Sequence, residues 1–420
     1  MTVTVFNTQA ITQKTIRAAQ NGNSDAQCEL GMHYMKKGDY ELAHKWLKRS
    51  ADKGNIHGIY NLGIYWDKLA LDCAEGCREL FQNAFNCFYK SAQKGLTEAQ
   101  YMLADYYLNG FYNKQNIDSA KIWYEKAAEK NYTKAYFRLA LLTPELNKRA
   151  TLLKKAYESG VQEATHNLAL CYFYGEGFNK DINEGLRLLN IAADYGNERS
   201  LFELGKIYAL GINLKKDKNI ADSYFNRIKS LNMIFVGKGK LDNNPISNTN
   251  NIPVSKFSIG RYPVTIGLWY AVMGNSKDQQ YTPAQDSWPV YPSWTEMHAF
   301  IAKLNQITGH HYYLPDDNQW LYAAKGGPIS RGYKYAGTND LNDLRSPSKS
   351  IGTTKPNELG IYFNSKYSEW VNKKTDADTS MLEMMGLSGS YYYSISPDYF
   401  SINKSETLGS SFRLAENIIL

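Results

Sequence analysis

The residues best suited to chemistry in this 420-residue chain are its 5 cysteines and 7 histidines. A thiolate or a neutral imidazole can bind a soft or borderline metal, and a thiolate can act as a nucleophile. All the cysteines, Cys28, Cys73, Cys77, Cys87 and Cys171, precede residue 172. Cys73, Cys77 and Cys87 are the nearest to a ligand cluster, but no fourth ligand accompanies them, and they read better as small buried hydrophobes. The odd count fits free thiols in a reducing compartment. His33, His44, His57, His166 and His298 are scattered. His310 and His311 are adjacent, so in extended chain they point to opposite sides. No nucleophile–base–carboxylate set follows from residue order. The expected catalytic set, metal set and cofactor set are all empty.

The elements around these residues fall into two halves. In the first, one phrase recurs. Ala26, Gly58, Ala99, Ala135, Ala164 and Ser200 each open a copy, with Leu30, Leu62, Leu103, Leu139, Leu168 or Leu204 four residues later. A small residue follows at once: Gly31, Gly63, Ala104, Ala140, Ala169 or Gly205. Tyr34, Trp66, Tyr107, Thr143, Tyr172 or Tyr208 stands three further on, so the phrase traces one face of a helix. A second helical phrase closes each copy, as in Ala43-Trp46-Ser50-Ala51, and ends at Gly54, Gly95, Asn131, Gly160, Gly196 or Asn232. Opening-residue spacings of 32, 41, 36, 29 and 36 confine the length variation to the inside of each copy. Helix pairs of this kind cannot bury their own apolar face, so they must stack.

Across residues 21–232 this pattern resembles the Sel1-like repeat, a relative of the tetratricopeptide repeat; Gly175-Glu176-Gly177 followed by Asp181 matches its inner loop. The resemblance implies an all-α solenoid that holds a protein partner. Residues 1–20 precede it as an N-terminal segment.

The second half has other grammar. Gly237 to Asn251 is rich in Gly, Asn, Asp and Ser, and residues 233–256 read as a linker or domain edge. Beyond it, short aromatic stretches alternate with Gly, Pro, Asn and Ser. The clearest helix is Thr295 to Ile307, with Ser293 as N-cap, Glu296 three later and Gly309 as its end.

Five phrases and a closing one follow in order: Phe257-Ser258-Ile259-Gly260 leading to Tyr262-Pro263-Val264-Thr265 and Trp269 to Gly274; Trp288-Pro289-Val290; Tyr313-Leu314-Pro315 through Trp320 to Gly327; Pro356 to Tyr362; Glu369-Trp370-Val371; and Ser411-Phe412-Arg413-Leu414. Over residues 257–415 they resemble the formylglycine-generating enzyme, or sulfatase-modifying factor, family, whose fold is related to C-type lectins. Residues 416–420 form a tail. The expected fold is thus multidomain: a helix-pair solenoid, then an irregular α+β formylglycine-generating-enzyme-like domain.

Family enzymes oxidise a substrate cysteine to formylglycine with O₂ and a copper ion held by two cysteine thiolates near the C-terminus. This chain has no cysteine in residues 172–420. Other family positions depart too. Tyr313 stands where the family has Arg, Asp316-Asp317-Asn318-Gln319 replaces Thr-Glu-Ala-Glu, and the segment from Gly360 to Trp370 is one residue short, at the place of the family's calcium ligands. A related branch uses histidine-bound iron, yet no His-x-x-x-His-x-Glu occurs.

These departures predict a non-catalytic adaptor or receptor, a pseudoenzyme with no cofactor. The alternative is an enzyme of altered chemistry in the same pocket. The recognition surface is sought in Ser388 to Ser411, which is rich in Tyr and Ser. Tyr supplies rigid area at small entropic cost, while Ser and Gly adapt. Tyr391, Tyr392, Tyr393, Tyr399, Asn403 and Trp370 are the candidate contacts for a protein or peptide ligand. The resemblance extends to variable ligand-binding proteins of diversity-generating retroelements, in which this stretch is diversified.

The 48 Lys+Arg against 41 Asp+Glu leave a net charge of +7 with no basic block, so nucleic acid is not an expected partner. No run of apolar residues is long enough to span a membrane. The polar first residues carry no secretory core, and the expected location is the cytoplasm, with signal-independent export left open.

Overall fold

A computed structural model describes residues 11–73, 77–244, 249–274, 285–331, 351–362, 368–372, 382–385 and 410–417. Internal contacts divide the chain into two compact units: residues 1–164 with 176–178, and residues 165–175 with 179–420.

The first unit is helical. Its elements are α1 (Gln13–Gln20), α2 (Ser24–Lys37), α3 (Tyr40–Asp52), α4 (Ile56–Asp72), α5 (Arg78–Gln93), α6 (Thr97–Asn109), α7 (Ile117–Glu129), α8 (Thr133–Leu141) and α9 (Leu146–Glu158). They pack in consecutive pairs, α2 with α3, α4 with α5, α6 with α7 and α8 with α9. The recurring phrase shows why. A Cβ added to Gly31 would stand 2.6 Å from the Leu47 side chain, and one on Gly63 would stand 2.7 Å from Phe88. The small position is therefore where the second helix of a pair presses its Leu or aromatic residue onto the first. Asn23, Asp39, Asn55 and Asn116 cap helix starts with their side-chain oxygens.

Lysines join successive copies. The Nζ of Lys53 donates to the Gly22 carbonyl, that of Lys94 to Gly54 at 3.1 Å and that of Lys130 to Gly95 at 2.7 Å. Each cation satisfies a carbonyl left open in the turn after a helix C-terminus. One expectation is overturned here: Cys73 and Cys77 form a disulfide, with Cα atoms 6.0 Å apart, leaving only Cys28, Cys87 and Cys171 as thiols. Their spacing of four residues, just beyond the end of α4, brings the two Cβ atoms within bonding reach. Burial pushes the Cys87 thiol up to about 11, away from thiolate character.

The second unit begins with two more helix pairs, α10 (Ala164–Tyr174) with α11 (Ile182–Asp194) and α12 (Glu198–Leu210) with α13 (Lys218–Phe225). Ser200 opens the sixth phrase, where the others have Ala or Gly, and its hydroxyl lies 2.8 Å from the buried His166 Nδ1. Burial first, with Arg199 and Lys206 adding to it, holds that imidazole well below its usual pKa, hence neutral.

Beyond a 3-10 turn at Lys229–Leu231 come β1 (Met233–Val236), β2 (Gly239–Asn244), β3 (Thr249–Val254) and β4 (Phe257–Gly260). The stretch that reads as a linker thus carries three strands: β1 pairs antiparallel with β4, and β2 with β3. Burial of Val236, Leu241 and Val254 holds those Gly- and Asn-rich residues in place. Then follow α14 (Ile266–Met273), α15 (Trp294–Thr308), β5 (Tyr312–Tyr313), α16 (Asp317–Ala324), β6 (Ser368–Asn372), β7 (Leu382–Met385), β8 (Ser410–Phe412) and β9 (Ala415–Glu416). The sheets among the described residues run β1-β4-β9-β5, β2-β3 and β7-β6-β8. α15 has the capping box Ser293/Glu296 and the left-handed Gly309 that its sequence predicts. The core gathers Phe257, Ile259, Trp320, Leu321, Ile361, Val371 and Ala415.

Within this unit the last helix pair is joined to the α+β domain. α12 packs on α14 and α15. Buried Glu198 accepts from Thr265 Oγ1 at 2.5 Å and from the Lys229 amide at 3.0 Å, and the Thr265 amide donates to Ser230 Oγ at 3.1 Å. Burial raises the Glu198 pKa, against the lowering effect of those donors.

Candidate functional site

Two regions concentrate polar side chains where apolar ones would be cheaper. The first lies in the repeat unit, on α4, α6, α7 and α8. The Asp105 carboxylate accepts from Tyr124, and the Tyr101 hydroxyl lies near it. Arg138 approaches through Nε, 3.6 Å from Asp105 Oδ1 and 3.3 Å from the Tyr101 hydroxyl. The Asp105 and Arg138 side chains keep 17% and 14% of their surface exposed. Yet desolvation still raises the Asp105 pKa. The rings of Tyr101 and Tyr132 stand 5.1 Å apart, and Tyr60 is close enough to Tyr132 and Glu98 to feel their charge. Burial pushes the Tyr60 and Tyr101 hydroxyls far above their ordinary range, so they remain neutral donors.

None of these residues was singled out by the sequence. The available signal was a charged residue inside a recurring helical phrase: Asp105 directly follows the small position of one copy, and Arg138 directly precedes the invariant Leu of another.

The second region is in the α+β domain. Glu369 on β6 is 4% exposed and Arg413, just after β8, is 0% exposed. Arg413 Nε and Nη2 donate to the two Glu369 oxygens at 2.6 and 2.5 Å, and Trp320 Nε1 donates to Oε2 at 2.9 Å. The remaining guanidinium donors reach the carbonyls of Gly260 at 3.0 Å and Tyr362 at 3.1 Å. The pair ties β4, β6 and α16 to the chain's last strands. With both carboxylate oxygens accepting from buried donors, it is a structural anchor. The Asp316 to Gln319 departure is also structural: Asp316 and Gln319 form the capping box of α16.

Trp370, a candidate contact, lies beside Glu369 on β6, 4% exposed, with its Nε1 unpaired among the described residues and its ring 6.5 Å from Trp294. Tyr391, Tyr392, Tyr393, Tyr399 and Asn403 lie outside the described residues. His310 pairs with Glu416 at 2.8 Å through Nδ1, and that hydrogen bond raises its pKa. Among the described residues no cluster of three His, Cys, Asp or Glu is arranged to hold a metal. Where α12 meets the domain, burial raises Asp286 to about 7, with Arg199 lowering it and Glu198 raising it.

Residues 24–55, 97–132, 162–197 and 199–230 match the Sel1 repeat, and residues 223–394 match the sulfatase-modifying factor enzyme 1-like domain. The chain is a Sel1-repeat protein with a sulfatase-modifying factor enzyme 1-like domain. The uncharacterized protein NMB1327 of Neisseria meningitidis serogroup B is 29% identical over 209 residues, 49% of this chain and 43% of that protein. The Sel1-repeat-containing protein YjcO of Escherichia coli is 27% identical over 154 residues, 34% of this Sel1-repeat protein and 66% of that one. The chain therefore spans less than two thirds of the length of either relative. Among solved structures, a Sel1 repeat protein from Oxalobacter formigenes aligns with a TM-score of 0.43 at 22% identity, over 51% of this chain and 95% of that one.

Copper held by two thiolates, which the sulfatase-modifying family implies, does not fit this Sel1-repeat protein. Its second unit has one cysteine, Cys171, and that residue is buried within α10. No described helix is long and apolar enough to cross a membrane.

Proposed function

We propose that this Sel1-repeat protein is a non-catalytic, two-part adaptor or receptor. The repeats hold one protein partner. The sulfatase-modifying factor-like domain presents a tyrosine- and serine-rich face to a protein or peptide ligand, with Tyr391, Tyr392, Tyr393, Tyr399, Asn403 and Trp370 as its contacts. The observation that carries this reading is a separation: the domain's core and anchor persist, while the sulfur donors of the family's oxidation chemistry are missing from residues 172–420. A fold does not fix a function, and a domain kept without the family's sulfur donors supports a binding role. The proposed location is the cytoplasm, where Cys73 and Cys77 would be held as a dithiol.

The test is copper titration of the full chain with a cysteine-containing peptide and O₂. No stoichiometric copper on the domain and no aldehyde in the peptide are the expected results. One copper per chain, or formylglycine in the peptide, would refute the non-catalytic reading.

A further inference from the structure

We infer that the free edge of β1 pairs antiparallel with β1 of a second copy, joining two β1-β4-β9-β5 sheets across a two-fold axis at Ile234. This goes beyond the binding of a foreign partner and does not rest on it.

β1 lies at the end of its sheet, with β4 on one side and no described strand on the other. The Arg261 amide donates to the Asn232 carbonyl at 2.8 Å, so this opposed pair, just before the strand, is hydrogen-bonded. Opposed pairs in an antiparallel ladder alternate between bonded and non-bonded. Continuing the register, Ile234 with Ile259 and Val236 with Phe257 are bonded, while Met233 with Gly260 and Phe235 with Ser258 are not. The Gly260 amide agrees, since it turns away from β1 to the Leu414 carbonyl at 2.8 Å. Met233 and Phe235 therefore turn their amides and carbonyls outward, where no described residue bonds them.

Edge strands are ordinarily blunted by charge, proline or a bulge. β1, Met-Ile-Phe-Val, has none of these. Ile234 and Val236 pack on the core, so Phe235 lies on the opposite face, 59% exposed, across from the small Ser258. A Cβ placed on Gly237 would stand 3.3 Å from Pro328 and 4.0 Å from the Phe235 ring, and Ile329, next in the chain, is 55% exposed. The strand's self-complementarity selects a second copy over a foreign segment. With Ile234 opposite the partner's Ile234, Met233 faces the partner's Phe235 as a bonded pair, and the two-fold axis repeats that pair. This register engages every outward amide and carbonyl of both strands. Along it Lys238 falls opposite the partner's Ser230, and Lys229 opposite the partner's Gly239, so like charges do not meet. The exposed Phe235 and Ile329 add apolar area to a ladder too short to hold alone.

The test is sedimentation velocity of the full chain from about 1 to 100 µM, on wild type, Phe235→Ala and Phe235→Pro. Wild type should pass from one chain to two over that range. Phe235→Ala removes the ring and should raise the dimer dissociation constant about tenfold or more. Phe235→Pro also removes one outward amide per copy while sparing the bonds to β4, and should raise it about tenfold further. Circular dichroism reports whether each variant folds. If Phe235→Pro does not fold, Ile234→Cys decides: diamide, itself reduced to the hydrazine, should oxidise the two thiols facing across the axis to a disulfide, giving a covalent dimer that wild type does not form. A monomer at every concentration overturns the inference. So does a dimer that Phe235→Ala leaves as tight, that Phe235→Pro weakens no more than alanine does, or that Ile234→Cys fails to cross-link. A chain that stays monomeric but binds random-library peptides, with Phe235→Pro abolishing that binding, gives the edge to a foreign strand and overturns the second copy. Each of these outcomes leaves the adaptor reading standing.

Discussion

Replacing Glu369 with Gln removes one charge from the most enclosed ion pair among the domain's described residues and changes the shape little. Arg413 has no exposed surface, and its charge is balanced by the Glu369 oxygens at 2.5 and 2.6 Å. In Glu369→Gln the new amide nitrogen becomes a third donor facing the guanidinium and the Trp320 indole. Leaving a buried charge uncompensated costs about 3–5 kcal/mol, against a total domain stability of roughly 5–15 kcal/mol. The double variant Glu369→Leu/Arg413→Met removes both charges. It strands Trp320 Nε1 and the carbonyls of Gly260 and Tyr362, about 1 kcal/mol each. Glu369→Leu and Arg413→Met made singly should each cost about 3–5 kcal/mol, so an expected loss of about 3 kcal/mol for the pair lies well below their sum, and the cycle of these two should show coupling of about 3 kcal/mol or more. Urea unfolding of the full chain, followed by tryptophan fluorescence, is the assay. Five of the 8 tryptophans (Trp269, Trp288, Trp294, Trp320 and Trp370) follow residue 232, so the domain dominates the signal. The reasoning fails if Glu369→Gln unfolds within about 0.5 kcal/mol of wild type, or if the double variant costs the full sum.

Other changes probe other levels. Gly63→Leu drives a side chain into Phe88 and should cost about 1–3 kcal/mol or more, read as a lower thermal midpoint; an unchanged midpoint would contradict the close approach. Asp286, raised to about 7 by burial, binds its proton more tightly folded than unfolded. Its stabilising contribution is therefore full below the ordinary carboxylate pKa of about 3.9 and is lost as pH rises through about 7. Asp286→Asn should thus raise the melting temperature at pH 8 and leave it unchanged at pH 4, and the reverse pattern would refute this. Thiol titration in denaturant without reductant should count three sulfhydryls, from Cys28, Cys87 and Cys171, on air-exposed protein. Five would mean that Cys73 and Cys77 remain a dithiol. Where the bond is present, its reduction should cost about 2 kcal/mol, the small value for so short a loop.

What the sequence made legible, and what it hid, follows from where each signal is stored. Leu–small–aromatic phrases are local, and the close approach of Leu47 to Gly31 is their direct consequence, so the helix pairs could be read. The capping box of α15 is equally local. Strand pairing is not. Residues 237–251 look like a linker because Gly and Asn dominate, and only the pairing of β2 with β3 and the burial of Leu241 and Val254 make strands of them. The disulfide was hidden for the same reason: spacing permits it, while geometry at the end of α4 brings the sulfurs together. In the repeat unit, Asp105 and Arg138 sit 33 positions apart, and no local pattern connects them.

The buried polar groups share one logic. His166 with Ser200, Glu198 with Thr265 and Ser230, and Glu369 with Arg413 each join segments distant in sequence. Apolar replacement of both partners costs less than loss of one partner alone, and in places adds stability. A misaligned hydrophobic contact remains favourable, whereas a misaligned buried carboxylate loses its donors and becomes strongly unfavourable. Such pairs therefore discriminate between alternative packings more than they add to stability. This matters most at α12, whose apolar face could seat against another repeat as readily as against α14 and α15. Glu198 distinguishes the two: only the domain supplies the Thr265 hydroxyl, and only the turn leading into it supplies the Lys229 amide. The sixth helix pair is thereby specified as the repeat that ends the stack and carries the domain.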